Sequence, residues 1–247
     1  MQYDTDVNLV ARQRLWAISP KEPEFDLYTW VLQWVSGDRV LDVGCGNGHY
    51  LSLVPGAIGM DLSTGMLASA VARGVTNPLV NGDAQALPFA TSSFDTVLAP
   101  HMLYHVPDRR LAARELRRVL RPGGVCIAVS NSGSTQGSLL ELVESVVGGG
   151  WRMLRPSTVA FSMENGEEQL RAGFEHVEPV WAPDVVFHVT DADAVADYIA
   201  SIADPYEADS GAVWTDVVEE CRARARSIIE RDGELPILAR LGAFVCR

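Results

Sequence analysis

Residues able to do chemistry gather at the ends of short apolar runs. The first run, VLDVG over 40–44, leads into Gly44, Gly46 and Gly48 and then into helix-compatible sequence. Missing side chains let a ligand approach the backbone at such a turn, and a following helix start adds unpaired amides. A dinucleotide fingerprint GxGxxG read from Gly44 demands a small residue at position 49, where this chain has His49. Asp42, two residues before the first glycine, would repel a pyrophosphate and suits a cationic ligand. Asp61 ends the second run, AIGMDL, and is placed to accept from a ribose diol. Asp83 ends the third, PLVNGDA, where it can meet a base edge or form an Asx turn after Gly82. Three carboxylates at three successive run ends surround one crevice, complementary to a ligand with an ammonium, a sulfonium and a ribose.

The elements that must hold these residues alternate in type. Between these runs and a fourth, FDTVLAP over 94–100, lie helix-compatible stretches, a rhythm that predicts a parallel sheet with right-handed crossovers. Upstream, Phe25, Tyr28, Val31, Leu32 and Val35 share one stripe and predict a helix over 25–35 that ends near Gly37. Ala112, Leu116, Val119 and Leu120 repeat at helical spacing until Pro122-Gly123-Gly124, and VCIAVS follows as a fifth strand. Leu139, Leu142, Val143, Val146 and Val147 predict another helix before the glycines at 148–150. The stretch 151–163 reads as irregular, 167–172 as a helix, and 177–189, broken by Pro179 and Pro183, as an edge strand or strand pair. Helices near 191–202 and through 217–229 and a strand over 243–246 complete the chain.

Composition narrows the function classes. The chain has 247 residues, 47% of them hydrophobic and 21% charged, which is globular composition. Its net charge of −12 has the wrong sign for neutralising many phosphates, so no nucleic-acid partner is expected. Cys45, Cys126, Cys221 and Cys246 form no CxxC pair, which argues against a disulfide framework and for a reducing, cytoplasmic compartment. No window approaches the roughly eighteen apolar residues that span a bilayer. HExxH and GxSxG are absent, so neither a metal site nor a serine elbow is expected, and Cys45 has no visible base partner.

S-adenosylmethionine carries the groups that the three carboxylates suit. The run DVGCGNG, GMDLS, GDAQALPF, FDTVLAPHMLYHV and ELRRVLRPGG, dense over residues 40–130, resembles the class I S-adenosylmethionine-dependent methyltransferases, in particular the small-molecule group. The ending DGELPILARLGAFVCR is similar to that family's last hairpin. The resemblance implies an α/β fold: a doubly wound Rossmann-like sheet, mostly parallel with an antiparallel C-terminal strand, plus a small helical cap. A single domain over 1–247 is expected, with the helix 25–35 and insertions near 131–165 and 184–215 forming a substrate lid. Residue by residue, the resemblance implies that Gly44, Cys45 and Gly46 bring the backbone to the methionine portion, with Asp42 acting through water or the loop. Asp61 would bind the ribose, Leu62 and Met66 would pack on the adenine, and Asp83 and the Ala84 amide would read its edge. Ala99 and Pro100 would offer carbonyls near the ammonium, and Arg14 or Arg12 would reach the carboxylate.

Methyl transfer from a sulfonium is an in-line displacement, so positioning is the protein's main task. A protonated oxygen or nitrogen nucleophile also gains from a nearby base, and histidine has the suitable pKa. His101, Tyr104 and His105 follow the fourth strand; His101, just past Pro100, is the expected base or orienter, while His105 resembles the packed histidine of the family's HHxPD stretch. His176 and His188 read as structural residues. Trp16, Trp30, Trp34, Trp151, Phe161, Trp181, Phe187, Tyr198, Tyr206 and Trp214 lie in or beside the variable segments and suggest an aromatic lid over a flat acceptor, some of them serving as core. Arg114, Arg117, Arg118, Arg222, Arg224 and Arg226 read as solvated helix faces. The partners expected are a small-molecule acceptor and, as an option, a second copy in a homodimer, with no nucleic acid and no membrane. Two other readings stay open: a cofactor-binding regulatory module without methyl transfer, and a protein or RNA methyltransferase, which the net charge and the lack of an NPPY-type motif oppose.

Overall fold

The computed structural model describes residues 6–153 and 156–247. In chain order the strands are β1 (Lys21–Glu22), β2 (Val40–Val43), β3 (Ile58–Asp61), β4 (Leu79–Asn81), β5 (Phe94–Pro100), β6 (Leu120–Asn131), β7 (Val177–Trp181), β8 (Val185–Val189), β9 (Leu235–Ala239) and β10 (Leu241–Cys246). The helices are α1 (Val7–Ile18), α2 (Leu27–Leu32), α3 (Thr64–Ala72), α4 (Arg109–Val119), α5 (Gly137–Val147), α6 (Pro156–Ala160), α7 (Gly166–Leu170), α8 (Ala192–Ser201), α9 (Asp204–Ser210) and α10 (Trp214–Asp232). Contacts divide the chain into two units: Asp26–Gly133 with Ser157–Ala182 and Leu241–Arg247, and Met1–Phe25 with Ser134–Pro156 and Pro183–Arg240.

The first unit is built on a seven-stranded sheet in the order β4-β3-β2-β5-β6-β10-β7. Leu41 of β2 pairs in parallel with Ile58 on one side and Val97 on the other, while β10 runs antiparallel to both β6 and β7. Buried apolar runs such as β5 suit strands covered on both faces. After β2 the chain lays down β3 and β4 on one side and then crosses to β5 on the other. The carboxyl ends of β2 and β5 therefore flank the reversal of strand order, where open α/β sheets bind ligands. Side-chain caps start the helices on this frame: Ser63 accepts from the Met66 amide at 3.1 Å, and Asp108 from the Leu111 amide at 2.9 Å. Ala112, Leu116 and Val119 then bury the apolar face of α4.

The second unit combines α1, α5, α8 and α10 with the antiparallel sheet β1-β8-β9. Leu15, Val195, Ile199, Cys221, Ala225 and Ile237 fill its core. Polar fasteners cross that core: Tyr198 Oη donates to Gln136 Oε1 at 3.0 Å, and the Trp214 indole donates to the Ile199 carbonyl at 3.1 Å.

The α/β class, the mostly parallel sheet and its antiparallel C-terminal strand are as the sequence led us to expect. Local readings needed correction. The segment after the glycine turn forms consecutive turns over 47–56 in place of a regular helix, because Gly44, Gly46, Gly48 and Gly56 all hold positive φ and Pro55 cuts the stretch short. The 25–35 helix is confined to α2, and part of the irregular 151–163 stretch is α6. The 177–189 segment is two strands in different sheets: β7, with Pro179, edges the large sheet, and β8 is the middle strand of the small one. The expected last hairpin is likewise no hairpin. Only Arg240 separates β9 from β10, and the chain passes there from one sheet to the other. The second unit contains a sheet as well as helices and runs to Arg240, and α2 belongs to the first unit. Phe161 packs on Phe244 in the first unit's core, and Tyr198, Tyr206 and Trp214 are buried in the second, so these four rings serve as core.

Candidate functional site

β2 carries Asp42 into the interior, where it is 1% exposed and neither carboxylate oxygen has a partner among the described residues. Burial, reinforced by the Asp61 charge, pushes its pKa up to about 8. The chain then turns at Gly44, whose φ of +72° and distance of 2.6 Å from an added Cβ to Met102 Cβ admit glycine alone. That approach brings the segment after β5 directly over the glycine turn.

The turn's amides are committed inside the protein. Gly44 and Cys45 both donate to the Met60 carbonyl, at 2.7 and 3.0 Å, and Gly48 donates to the Cys45 carbonyl at 2.9 Å. Gly46 donates to Asp61 Oδ2 at 2.8 Å. No spare row of amides is left there for a pyrophosphate, and the Asp61 carboxylate held against the turn favours a cation. Cys45 is buried, and desolvation raises its thiol pKa well above the ordinary value, so it is not a nucleophile.

Asp61 is fixed by its second oxygen, which accepts from the Ser63 amide at 2.8 Å. Each carboxylate oxygen has a further lone pair, so the group can still accept from a diol. Asn81 clamps the backbone beside it, donating to the Asp61 and Leu62 carbonyls at 3.0 and 2.8 Å. Leu62 is 65% exposed and available to a ligand, whereas Met66 is 2% exposed and packed in the core. Asp83 forms the Asx turn: its Oδ1 accepts from the Gln85 amide at 2.8 Å, and the Gln85 side chain closes on both oxygens. Ala84 is buried behind it.

Ala99 and Pro100 end β5 in the buried sheet. His101 follows at φ +53°, a left-handed conformation uncommon for a side chain of its size, and its amide donates to the Val129 carbonyl at 3.0 Å. Its ring is half-buried and surrounded by protein, and desolvation lowers its pKa to about 4. The imidazole is thus neutral across the physiological range, able to accept a proton or a hydrogen bond. Tyr104 rests half-buried against the core, and exposed His105 meets it edge-on at 4.5 Å.

Arg14 belongs to the second unit, where it pairs with Asp197 at 2.7 Å and Asp191 at 3.3 Å, while Arg12 donates to the Ser201 carbonyl at 2.8 Å. Sequence reasoning missed the residues that set the Asp83 loop. Glu115 accepts from the Leu87 amide at 2.8 Å, and Arg118, expected on a solvated face, pairs with Glu115 at 2.7 Å and donates to the Leu87 and Phe89 carbonyls. The i, i+3 spacing of Glu115 and Arg118 was the available signal.

Residues 41–128, which hold every one of these groups except the two arginines, match the family model described as methyltransferase domain. Over that stretch the chain is similar to methyltransferase domains. Demethylmenaquinone methyltransferase of Staphylococcus aureus is 36% identical over 109 residues, which are 40% of this chain and 45% of that one. The chain spans 36–45% of the length of the curated relatives it matches. Among solved structures, the [4+2]-cyclase SpnF aligns at TM-score 0.55 and 19% identity over 99% of this chain and 94% of its own. Phosphoethanolamine N-methyltransferase 2 of Haemonchus contortus, solved with phosphomonomethylethanolamine and S-adenosylhomocysteine, aligns at TM-score 0.54 and 20% identity over 99% of this chain and 57% of its own. These likenesses show that the chain shares the α/β fold of those proteins. The residues present fit S-adenosylmethionine: Asp42 is a buried acceptor without a partner among the described residues, Asp61 keeps lone pairs for a diol, and Leu62 presents an exposed apolar face.

Proposed function

We propose that the protein is an S-adenosylmethionine-dependent methyltransferase acting on a small, largely apolar acceptor. The observation that carries this reading is the pair Asp42 and Asp61 beside the strand-order reversal, one carboxyl buried without a partner among the described residues and the other held rigid by two backbone amides. When bound, the cofactor supplies a methyl group on a positively charged sulfur. The chain's own residues bind and orient. Asp42 meets the ammonium, Asp61 the ribose hydroxyls and Leu62 the adenine face, while Asp83 and the Ala84 amide lie at its edge. The neutral His101 ring accepts a hydrogen bond from, or a proton of, an acceptor's O–H or N–H, and no carboxylate partner raises its basicity. It therefore acts first as an orienter. An acidic surface disfavours polyanionic acceptors, and the aromatic content of the variable segments supports a flat one.

The test is a panel of quinol, phenol, indole, aliphatic amine, sugar, peptide and RNA acceptors incubated with methyl-labelled cofactor. Label in an aromatic or quinol product supports the reading. Preference for sugars or amines overturns the acceptor class, and cofactor binding with no label transferred to any acceptor points to the regulatory module.

A further inference from the structure

Tyr50 has no role in the account above. It lies just after the glycine turn, 7% exposed, with its ring edge-on to Tyr28 at 5.0 Å and packed in an apolar cluster with Val31, Val40 and Leu51. A phenylalanine would fill that place equally well. The hydroxyl is the anomaly: it is buried and has no hydrogen-bond partner among the described residues. Within this unit, Asp42 and Tyr50 are the two described residues whose buried side-chain oxygens are left so. Asp42 lies on the same face of β2 as Val40 and pairs in register with Leu98, both members of the cluster that holds Tyr50, and its charge is among the causes that raise the Tyr50 pKa, after burial and Tyr28. A buried hydroxyl without a partner lowers stability unless a ligand answers it, and a buried acceptor beside it in the same condition points to one common ligand group.

We propose that Tyr50 is a positioning residue whose hydroxyl oxygen, together with the Asp42 carboxylate, receives the N–H donors of the ammonium group at the amino-acid end of the cofactor. The proposal rests on the cofactor reading above. An ammonium has three donors, so it can satisfy both orphaned acceptors at once, and a tyrosine oxygen accepts without bringing a second buried charge. The Tyr28 ring and the cluster around it fix the phenol's orientation. Binding then relieves two unsatisfied groups that the ligand-free protein carries.

The experiment measures S-adenosylhomocysteine binding by calorimetry and thermal unfolding for the wild type, Tyr50→Phe, Asp42→Asn and the double variant. Tyr50→Phe is expected to melt at the same temperature as the wild type or higher, because the lost hydroxyl had no partner, while the dissociation constant rises roughly tenfold. The double variant should lose less than the product of the two single losses, as expected when both residues hold one group. Unchanged affinity in Tyr50→Phe overturns the proposal. A fall in melting temperature together with weaker binding also overturns it, since that marks the hydroxyl as part of the ligand-free fold. Wild-type protein that fails to bind the nucleoside overturns the cofactor reading itself, an outcome separate from both.

Discussion

Replacing Asp42 by asparagine keeps the side chain's shape and removes its charge. In the folded protein its pKa is raised from 3.8 to about 8 by burial and by Asp61. Between those values the unfolded chain ionises the group and the folded chain does not, so the native state holds up to one extra proton. Stability must then fall as pH rises through that window and level off above about 8. Each pH unit is worth at most about 1.4 kcal/mol, so the loss from pH 4 to 7 is bounded at roughly 4 kcal/mol, with local relaxation reducing it to about half. The asparagine variant lacks this slope. Urea unfolding of both proteins at intervals from pH 4 to 8 isolates the Asp42 contribution, because the other titrations cancel in the difference. The variant's advantage should grow by about 2 to 4 kcal/mol across the window. Calorimetry in buffers of different ionisation enthalpy adds a second check. An arriving ammonium ionises Asp42, so near pH 6.5 the wild type should release up to one proton on binding S-adenosylhomocysteine and the variant none. Parallel stability curves together with no proton release would refute the buried neutral carboxyl.

Asp61→Ala removes the acceptor for the Gly46 and Ser63 amides and for the ribose, and should weaken cofactor binding by about 1.5 to 3 kcal/mol; unchanged calorimetric affinity in a folded variant rejects the assignment. His101→Ala should lower turnover by roughly a hundredfold while cofactor affinity stays nearly constant, and equal turnover would show that positioning alone suffices. Because desolvation holds His101 near pKa 4, protonation removes its acceptor only as pH falls through that value, so a turnover profile with its His101 inflection near 6.5 would contradict the buried site. His101→Gly relieves the φ of +53° and should melt about 2 to 4 °C above His101→Ala. Gly44→Ala sets a Cβ 2.6 Å from Met102 at positive φ, and should cost about 1 to 3 kcal/mol in urea unfolding and lower cofactor affinity as the turn shifts.

Much was legible in the sequence because the signals are local. Apolar runs with fixed periods marked β2 to β6, with glycines and carboxylates at their ends, so the parallel sheet followed from spacing alone. The antiparallel β10 and the resemblance to methyltransferases came from the ordered motifs. Tertiary structure decided the rest, since those outcomes depend on neighbours distant in sequence. The division of 177–189 and of 235–246 between two sheets turns on which strand edges lie open to each segment, and alternation cannot encode that. Four of the candidate lid rings became core because burial is a property of the surrounding unit. The Gly44, Cys45 and Gly46 amides were spent on Met60 and Asp61, partners supplied by β3. Above all, the sequence showed Asp42 and Tyr50 as an acid and an aromatic near a turn. Only the packed fold withdrew both from water without giving either a partner among the described residues, because desolvation and hydrogen-bond satisfaction are set by everything that closes around a group.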